Sequence, residues 1–590
     1  MKLNYKRTLL VGFAFFLISA FWQAYDTIIP LMLTNKFGLG QTWSGLIMSL
    51  DNILALFMLP LFGALSDKKD TRFGKRTPFI VIGTVVAVVC FLGLTFADSA
   101  QLNKLADRSK ETYWTENYVV ENREYNAITN PLKVTDPSVM DPKCEYKEGD
   151  ALSQYTVRDY AAKMYYGEYF SELTLDEQME LQNWYLGTGL GYKTYYVYEK
   201  ADDTYKVCIE TSLNGDLAYL DGTAVEGKST LNAYSALVSD AQNQFAHTVM
   251  KNNVWILVIF IIMLLLTLVS MATFRSPAVA LMPDVTVKPL RSKANAIINL
   301  MGTAGGILVL LLGMLFGTGK VNNQMMSYTG FVLAVCGIMV VALVVFMFTV
   351  KEKQWNGEML EQQALLDEEN KEKEKDEKEG AKEGKLSKGQ LRSLLLILAS
   401  VALWFFGYNA ITSKYSVYAV NVLNKDYNTT LLIAQAAAVV SYIPVGILAS
   451  KIGRKFTILI GVGLLTLAFF GAIFINASSP TWLIWILFAL AGIAWATINV
   501  NSFPMVVELA KGGNIGKYTG YYYTASMAAQ VVTPILSGVL MDAMGTMSIL
   551  FPYATLFVAM SFVTMIFVKH GDNKPEMPKD KLEMLGGADD

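Results

Sequence analysis

Residues 63–80 read GALSDKKDTRFGKRTPFI. Two apolar runs flank this stretch, and it carries Lys68, Lys69, Arg72, Lys75 and Arg76 beside Asp67 and Asp70. A short, basic loop between two membrane spans is expected to face the cytoplasm. A shorter counterpart, GILASKIGRK, occupies residues 446–455. Each has a Gly, then a Ser, then a Gly followed by paired basic residues. Two such loops in one chain predict two related halves.

Working outward, the chain has 590 residues, of which 53% are hydrophobic and 17% charged. Soluble domains carry about 25% charged residues. Here the charges are gathered into a few short stretches, as in a polytopic membrane protein. Runs of about 20 apolar residues can cross a bilayer. They fall at 9–33, 43–65, 78–97, 253–275, 294–317, 327–350, 393–413, 429–450, 455–475, 481–503, 517–540 and 547–569. Alternate loops are rich in Lys and Arg, which predicts cytoplasmic N- and C-termini. The N-terminal apolar run has no small-residue cleavage site and reads as the first span.

The halves align. Gly63/Ser66 match Gly446/Ser450 at an offset of about 380 residues, whereas Asp284/Lys293 match Glu508/Lys517 at about 220. The difference, about 155 residues, predicts an insertion in the first half, where a polar region spans residues 98–250. The expected fold is therefore an all-α membrane protein. Twelve transmembrane helices form two six-helix bundles, with an α+β extracytoplasmic domain inserted between helices 3 and 4. The organisation reads as helices 1–3 in residues 1–97, the insertion at 98–250, and helices 4–6 at 251–350. A charged cytoplasmic linker at 351–392, helices 7–12 at 393–570 and a cytoplasmic tail at 571–590 follow. In the insertion, Ser171–Trp184 reads as a capped helix. Residues 192–198 and 204–210 alternate around Ala201-Asp202-Asp203 as a hairpin. Cys144 and Cys208 can form a disulfide if the compartment is oxidising. The segment containing EENKEKEKDEKEGAKEGK reads as a solvated linker.

Several function classes recede. The two histidines, His247 and His570, lie outside the apolar runs, which leaves no basis for a His triad or a multi-His metal site. Cys90 and Cys336 lie in apolar runs and read as core fillers. GGILVLLLG at 305–313 lacks the Gly-Lys-Ser/Thr ending of a phosphate loop. A net charge of −2 gives no indication of nucleic-acid binding. No cofactor, metal or enzymatic activity is expected.

SDKKDTRFGKRTPFI, with RSPAVALMPDVTVKPLRSKANAIINLMG at 275–302, resembles the corresponding loops of the glycoside–pentoside–hexuronide:cation symporters and related sucrose transporters. These belong to the major facilitator superfamily. The resemblance is tight in the two loops, loose over the spans, and absent from the insertion. It implies an alternating-access sugar transporter driven by a proton or sodium gradient. The neighbourhood LDNILALFMLP around Asp51 departs from the family's two-Asp pattern.

The residues supply their own reading. Asp26 and Asp51 lie within consecutive spans, about 10 and 12 Å from the outer end. A carboxylate in a span is costly to expose to lipid, so both should face the central cavity or a partner and carry cation coupling. Trp22, Gln23, Arg275, Asn299, Trp404, Tyr408, Asn409, Gln435 and Asn499 supply the aromatic and amide groups that sugar recognition needs. Trp495 belongs with them. Arg275 has Asn499 as its repeat mate, and snorkelling to the interface is its alternative role. Lys414 ends span seven, either snorkelling or serving an outer gate. Asp67, Arg72, Arg76, Asp284 and Arg291 are expected to form a cytoplasmic gate whose opposite charges can pair across the two bundles when it is closed and separate when it opens. The expected activity is proton-coupled import of a di- or oligosaccharide, with sodium as the other possible ion. A monomer in the plasma membrane is expected, with lipid around it. The insertion can bind substrate or a partner protein. A sugar-sensing receptor and proton-coupled drug efflux are the alternatives. The first has no need of membrane acids, and the second predicts a broad apolar cavity.

Overall fold

The structure is a computed structural model. It describes residues 3–109 except 70, residue 174, the strand segments 194–199, 204–210, 216–219 and 224–229, residues 246–374 except 321–325, and residues 387–570 except 424, 477–478, 508 and 510–514. The tail, Cys144 and the expected helix at Ser171–Trp184 lie outside the described residues, and so does any statement about a disulfide.

Among the described residues, twelve helices are long and apolar enough to cross a membrane. In the first half these are α1 (Tyr5–Leu31), α2 (Gln41–Asp67), α3 (Thr77–Ser109), α4 (Val254–Asp284), α5 (Arg291–Phe316) and α6 (Thr329–Thr349). Helix α7 (Glu352–Glu374) follows. The second half holds α8 (Lys388–Asn421), α9 (Tyr427–Ile452), α10 (Arg454–Ala472), α11 (Thr481–Val507), α12 (Ile515–Met544) and α13 (Leu550–Ile566). Local sequence sets several of their ends. Asn4 accepts the Arg7 N–H at 3.2 Å to start α1. Ser387 and Gln390 form a capping box on α8, and the Asp426 carboxylate accepts from Asn428 and Thr429 to start α9. Helices with apolar side chains on every face suit positions between lipid and a protein core.

Two separate cores form. One gathers Phe21, Phe91, Phe260, Phe274 and Phe346 from α1, α3, α4 and α6; the other gathers Trp404, Tyr415, Phe469, Phe488 and Phe551 from α8, α10, α11 and α13. The packing repeats with the sequence. Helices α1 and α5 pack together, as do α8 and α12; α3 packs on α4 as α10 does on α11. Across the halves, α2 meets α12, α5 meets α9 and α1 meets α8. Gly45 lets α2 lie against the α12 backbone, because a Cβ there would run into the Pro534 carbonyl.

Three boundaries differ from those read in the sequence. Helix α3 does not stop at residue 97 but runs to Ser109. Its Asp98 is fully buried and paired with buried Lys36, while the Gln101 amide donates to the Lys36 carbonyl at 2.8 Å. A charge inside a span can be accommodated when its partner is buried with it, and hydropathy alone does not see the partner. Residues 246–252 are helical, and Ala246 and Val249 pack on Leu105, so the polar insertion is shorter than 98–250. Within it, β1 (Thr194–Glu199), β2 (Thr204–Glu210), β3 (Asp216–Tyr219) and β4 (Ala224–Ser229) form an antiparallel meander. The expected hairpin corresponds to β1 and β2, with Thr194 opposite Ile209. The helical part of an α+β domain is not among the described residues.

Third, the start of the 351–392 segment is a docked helix rather than solvated linker. Buried Glu352 accepts the N–H groups of Lys75, Arg76 and Thr77 and the Thr77 hydroxyl at 2.7–2.8 Å, thereby capping α3. Gly74, at φ +117°, brings the chain against that carboxylate. Trp355 is buried under Arg7, which also pairs with Glu358; this ion pair holds the Glu358 carboxyl below its usual range. Asn356 donates to the Asp284 carbonyl at 2.6 Å. High charge density hid these few contact residues.

Candidate functional site

A cavity of about 1260 Å³ lies between the halves. Its walls come from α1, α4, α5, α8, α9, α10, α11 and α12. They run from Trp22 and Gln23 in mid-helix to Pro283, Arg291, Gly446, Ala449, Arg454 and Pro504 at the helix ends that carry the basic loops. The cavity therefore reaches toward the end of the molecule where residues 446–455 lie.

The opposite end is closed by bonds between the halves. Asn35 and Asn421 exchange amide hydrogen bonds at 3.1 and 2.8 Å. Asp542 at the end of α12 accepts the Gln41 and Thr42 N–H groups, each at 2.8 Å, and so caps α2 from the other half. Fully buried Lys414 donates to the Gln41 carbonyl at 2.6 Å. The Tyr427 hydroxyl and the Asn428 amide donate to Thr318 at 2.7 and 3.1 Å. Lys414 thus sits inside the closure and does not snorkel. Asn35, Thr318 and Asp542 have ordinary sequence contexts and gave no signal of this role.

Of the residues expected to bind substrate, Trp22, Gln23, Arg275, Asn299, Tyr408, Gln435 and Asn499 line the cavity, and Asp26 joins them. Arg275 lies over the Trp22 ring at 5.6 Å, and its guanidinium makes no hydrogen bond among the described residues. Tyr408 stacks on Trp495, with centroids 3.6 Å apart and planes 5° from parallel. Gln435 donates to Gln23 across the halves at 2.5 Å. The indole N–H of Trp22 is buried without a partner. Together these supply donors, acceptors and an aromatic face, the kit that orients a polar small molecule.

Trp404 and Asn409 depart from expectation. Trp404 is packed in the second-half core, 1% exposed, and Asn409 is absent from the cavity wall. Helical spacing put Trp404 on Tyr408's face, but that face is covered one turn away. Asn295, Thr303, Tyr442, Arg454 and Tyr523 join the wall and were not singled out in the sequence. Asp51 does not line the cavity: its carboxylate accepts from the Asn52 amide at 2.8 Å, and it interacts electrostatically with Asp26 and Arg275. Helix α2 packs on α4, and Arg275 of α4 interacts electrostatically with both acids. The expected acid pair becomes a three-residue set, with Asp26 in the cavity and Asp51 behind it.

The cytoplasmic gate residues are not arranged as expected. Arg76 pairs with Asp67 and, at 2.7 Å, with Asp284, and also bonds Ser66. Burial works against the charge on Arg76, but the bonds to Asp284 and Asp67 outweigh it and raise its pKa. All four residues belong to the first half, so the cluster braces α2, α3 and α4 against one another rather than bridging the bundles. Arg291 donates to the Pro283 and Thr286 carbonyls at 2.9 and 3.1 Å and lines the cavity mouth. Arg72 makes no ion pair among the described residues. The cavity reaches this end, and the ion pairs of Asp67, Arg76 and Asp284 found among the described residues stay within the first half.

A sequence model described as Major Facilitator Superfamily matches residues 244–534 and 437–584, and one described as MFS/sugar transport protein matches residues 10–102. No curated protein matches the chain. Among solved structures, the inward-open xylose transporter XylE from E. coli superposes with a TM-score of 0.54 at 12% identity over 99% of each chain. A D-xylose-proton symporter gives 0.52 at 11% identity, covering 97% of this chain and 99% of that one. A bacterial homologue of the iron transporter ferroportin, in an inward-facing state, gives 0.51 at 12% identity over 96% and 100%. At these identities the likeness is one of fold.

Proposed function

The chain belongs to the major facilitator superfamily, and from that premise we propose that it imports a di- or oligosaccharide glycoside by proton-coupled symport. The superfamily is one of transporters, not enzymes. The observation that carries the reading is the cavity wall, where Asp26, Arg275 and Trp22 of the first half face Gln435, Tyr408 and Trp495 of the second. Hydroxyl-rich ligands are held by charged and amide groups around a stacking ring, and about 1260 Å³ has room for two or more sugar rings. The sugar-transport description of the model matching residues 10–102 supports the substrate class. Likeness to a D-xylose-proton symporter supports proton coupling by analogy of fold alone.

The basic loops flank the cavity mouth, so in a plasma-membrane transporter the positive-inside rule turns the mouth and both termini to the cytoplasm and makes this state inward-facing. The meander of β1–β4 then lies outside, where it can capture substrate or a partner protein. Transport alternates between this state and one in which the Asp542, Lys414 and Asn35–Asn421 bonds part and the basic-loop ends meet. A proton arriving from outside neutralises Asp26 or Asp51. The change in charge beside Arg275 alters the hold on substrate and couples the two. The chain works as a monomer, surrounded by lipid.

Uptake of labelled disaccharides into proteoliposomes tests this directly. Accumulation driven by an inward proton gradient is expected. Accumulation driven by sodium alone replaces the coupling ion, and uptake indifferent to both gradients sinks the symport reading. Transport of bulky apolar cations without saccharide uptake would instead favour efflux.

A further inference from the structure

Among the described residues, hydrogen bonds join the two halves both at the closed end and on the cavity wall. Those of Asn35, Thr318, Lys414 and Asp542 lie at the closed end, away from the cavity. The bond from Gln435 to Gln23 lies on the cavity wall. Its chemistry is incomplete, because the Gln435 Oε1 atom is buried with no hydrogen-bond partner. A buried acceptor left unmet is unfavourable, and such groups in folded proteins ordinarily have a partner.

Gly306 of α5 shows where the partner would come from. A Cβ on Gly306 would lie 3.3 Å from Gln435 Oε1 and 3.5 Å from Gln23 Oε1. Both amide oxygens therefore lie beside the bare spot that Gly306 leaves on the α5 face, with the Gln435 Nε2 atom at 3.6 Å, and a larger residue would fill that hollow. Two acceptors converging on a hollow in a cavity wall call for a donor. The donor chemistry that fits a neutral two-amide cradle is a hydroxyl.

We infer that Gln23, Gln435 and Gly306 form a hydroxyl-reading subsite, in which one hydroxyl of the transported saccharide donates into the cradle and links the first half to the second. This rests on the cavity being the saccharide site. It assigns the cradle a selective role: the two glutamines distinguish a hydroxyl from a hydrogen at one sugar carbon. The ligand also completes a bond between the halves that the protein alone leaves half-made, so occupancy favours their approach.

The test uses the full-length protein in detergent and in proteoliposomes. Sucrose, lactose, maltose and melibiose are screened for binding, and the best of them is compared with its monodeoxy analogues. Wild type should bind one analogue about 5-fold or more weakly, the effect of one lost hydrogen bond. Gly306→Ala fills the hollow without disturbing the helix, since Ala favours helix over Gly. It should weaken the parent sugar by a similar factor and leave that one analogue unaffected, so that the two changes are not additive. Gln435→Met removes the acceptor and should show the same selectivity. If Gly306→Ala and Gln435→Met leave binding of the parent unchanged, or weaken the parent and every analogue equally, the subsite is refuted while the transport reading stands. If wild type binds none of the four sugars, the subsite as a disaccharide reader is refuted, and the transport reading is decided separately by gradient-driven uptake.

Discussion

Asp542→Ala should shift the protein toward an outward-open state. The Asp542 carboxylate receives two backbone N–H bonds of 2.8 Å from Gln41 and Thr42, the first residues of α2. Loss of such a cap costs about 0.5–2 kcal/mol. Two bonds to a charged acceptor would favour the upper end, but Asp542 is exposed and solvent screens it. A destabilisation of about 1–2 kcal/mol of the closed end follows, which moves the equilibrium between states by about 5- to 30-fold. In the open state α2 and α12 separate, water meets the freed N–H groups, and nothing offsets the loss in the closed state. Spin labels at Trp43 and Met544, both exposed residues of α2 and α12, report the separation. The distance distribution of the Asp542→Ala protein should gain a longer population without ligand, and Asp542→Asn, which retains one acceptor oxygen, should lie between. An unchanged distribution in both variants would refute the idea that this cap holds the outer end shut.

The other expectations concern Glu352, Lys36 with Asp98, Asp51 and Asp26. Glu352→Gln removes an acceptor from a carboxylate with four donors on it; a loss of about 3 kcal/mol of docking is expected, seen as faster hydrogen exchange in α7 and at the start of α3. Lys36→Met strands the buried Asp98 carboxylate and should cost about 3–5 kcal/mol, a fall in melting temperature that Lys36→Met with Asp98→Leu largely reverses. Asp51→Asn should abolish sugar accumulation against a gradient yet leave sugar–sugar exchange intact; retained accumulation would place coupling on Asp26 alone. Asp26→Asn should weaken sugar binding as well, because that carboxylate lines the cavity.

Hydropathy made the spans and the two halves legible because the bilayer imposes a length of about 20 apolar residues regardless of how the helices pack. Every span located that way corresponds to a helix of the structure. The residues of the site were legible in part for a related reason. An acid such as Asp26 or an amide such as Gln435 inside an apolar run is too costly to leave facing lipid, so its presence alone indicates an interior position. Aromatic residues carry no such cost on either side. Tyr408 and Trp404 share a helical face, yet only Tyr408 reaches the cavity.

What the chain determined by itself was thus the twelve spans, the two related halves and a list of polar residues too costly to leave facing lipid. Tertiary structure decided which of them meet. Asp67, Arg76 and Asp284 looked like two sides of a gate because their charges are opposite. Only the packing of α2, α3 and α4 makes them one brace inside a single half. The Asp542 cap on α2 joins residues 500 positions apart through backbone N–H groups, which no side-chain pattern records. The spans follow from transfer energies summed along the sequence. Pairing depends on distances across an interface, and those exist only once the two bundles have docked.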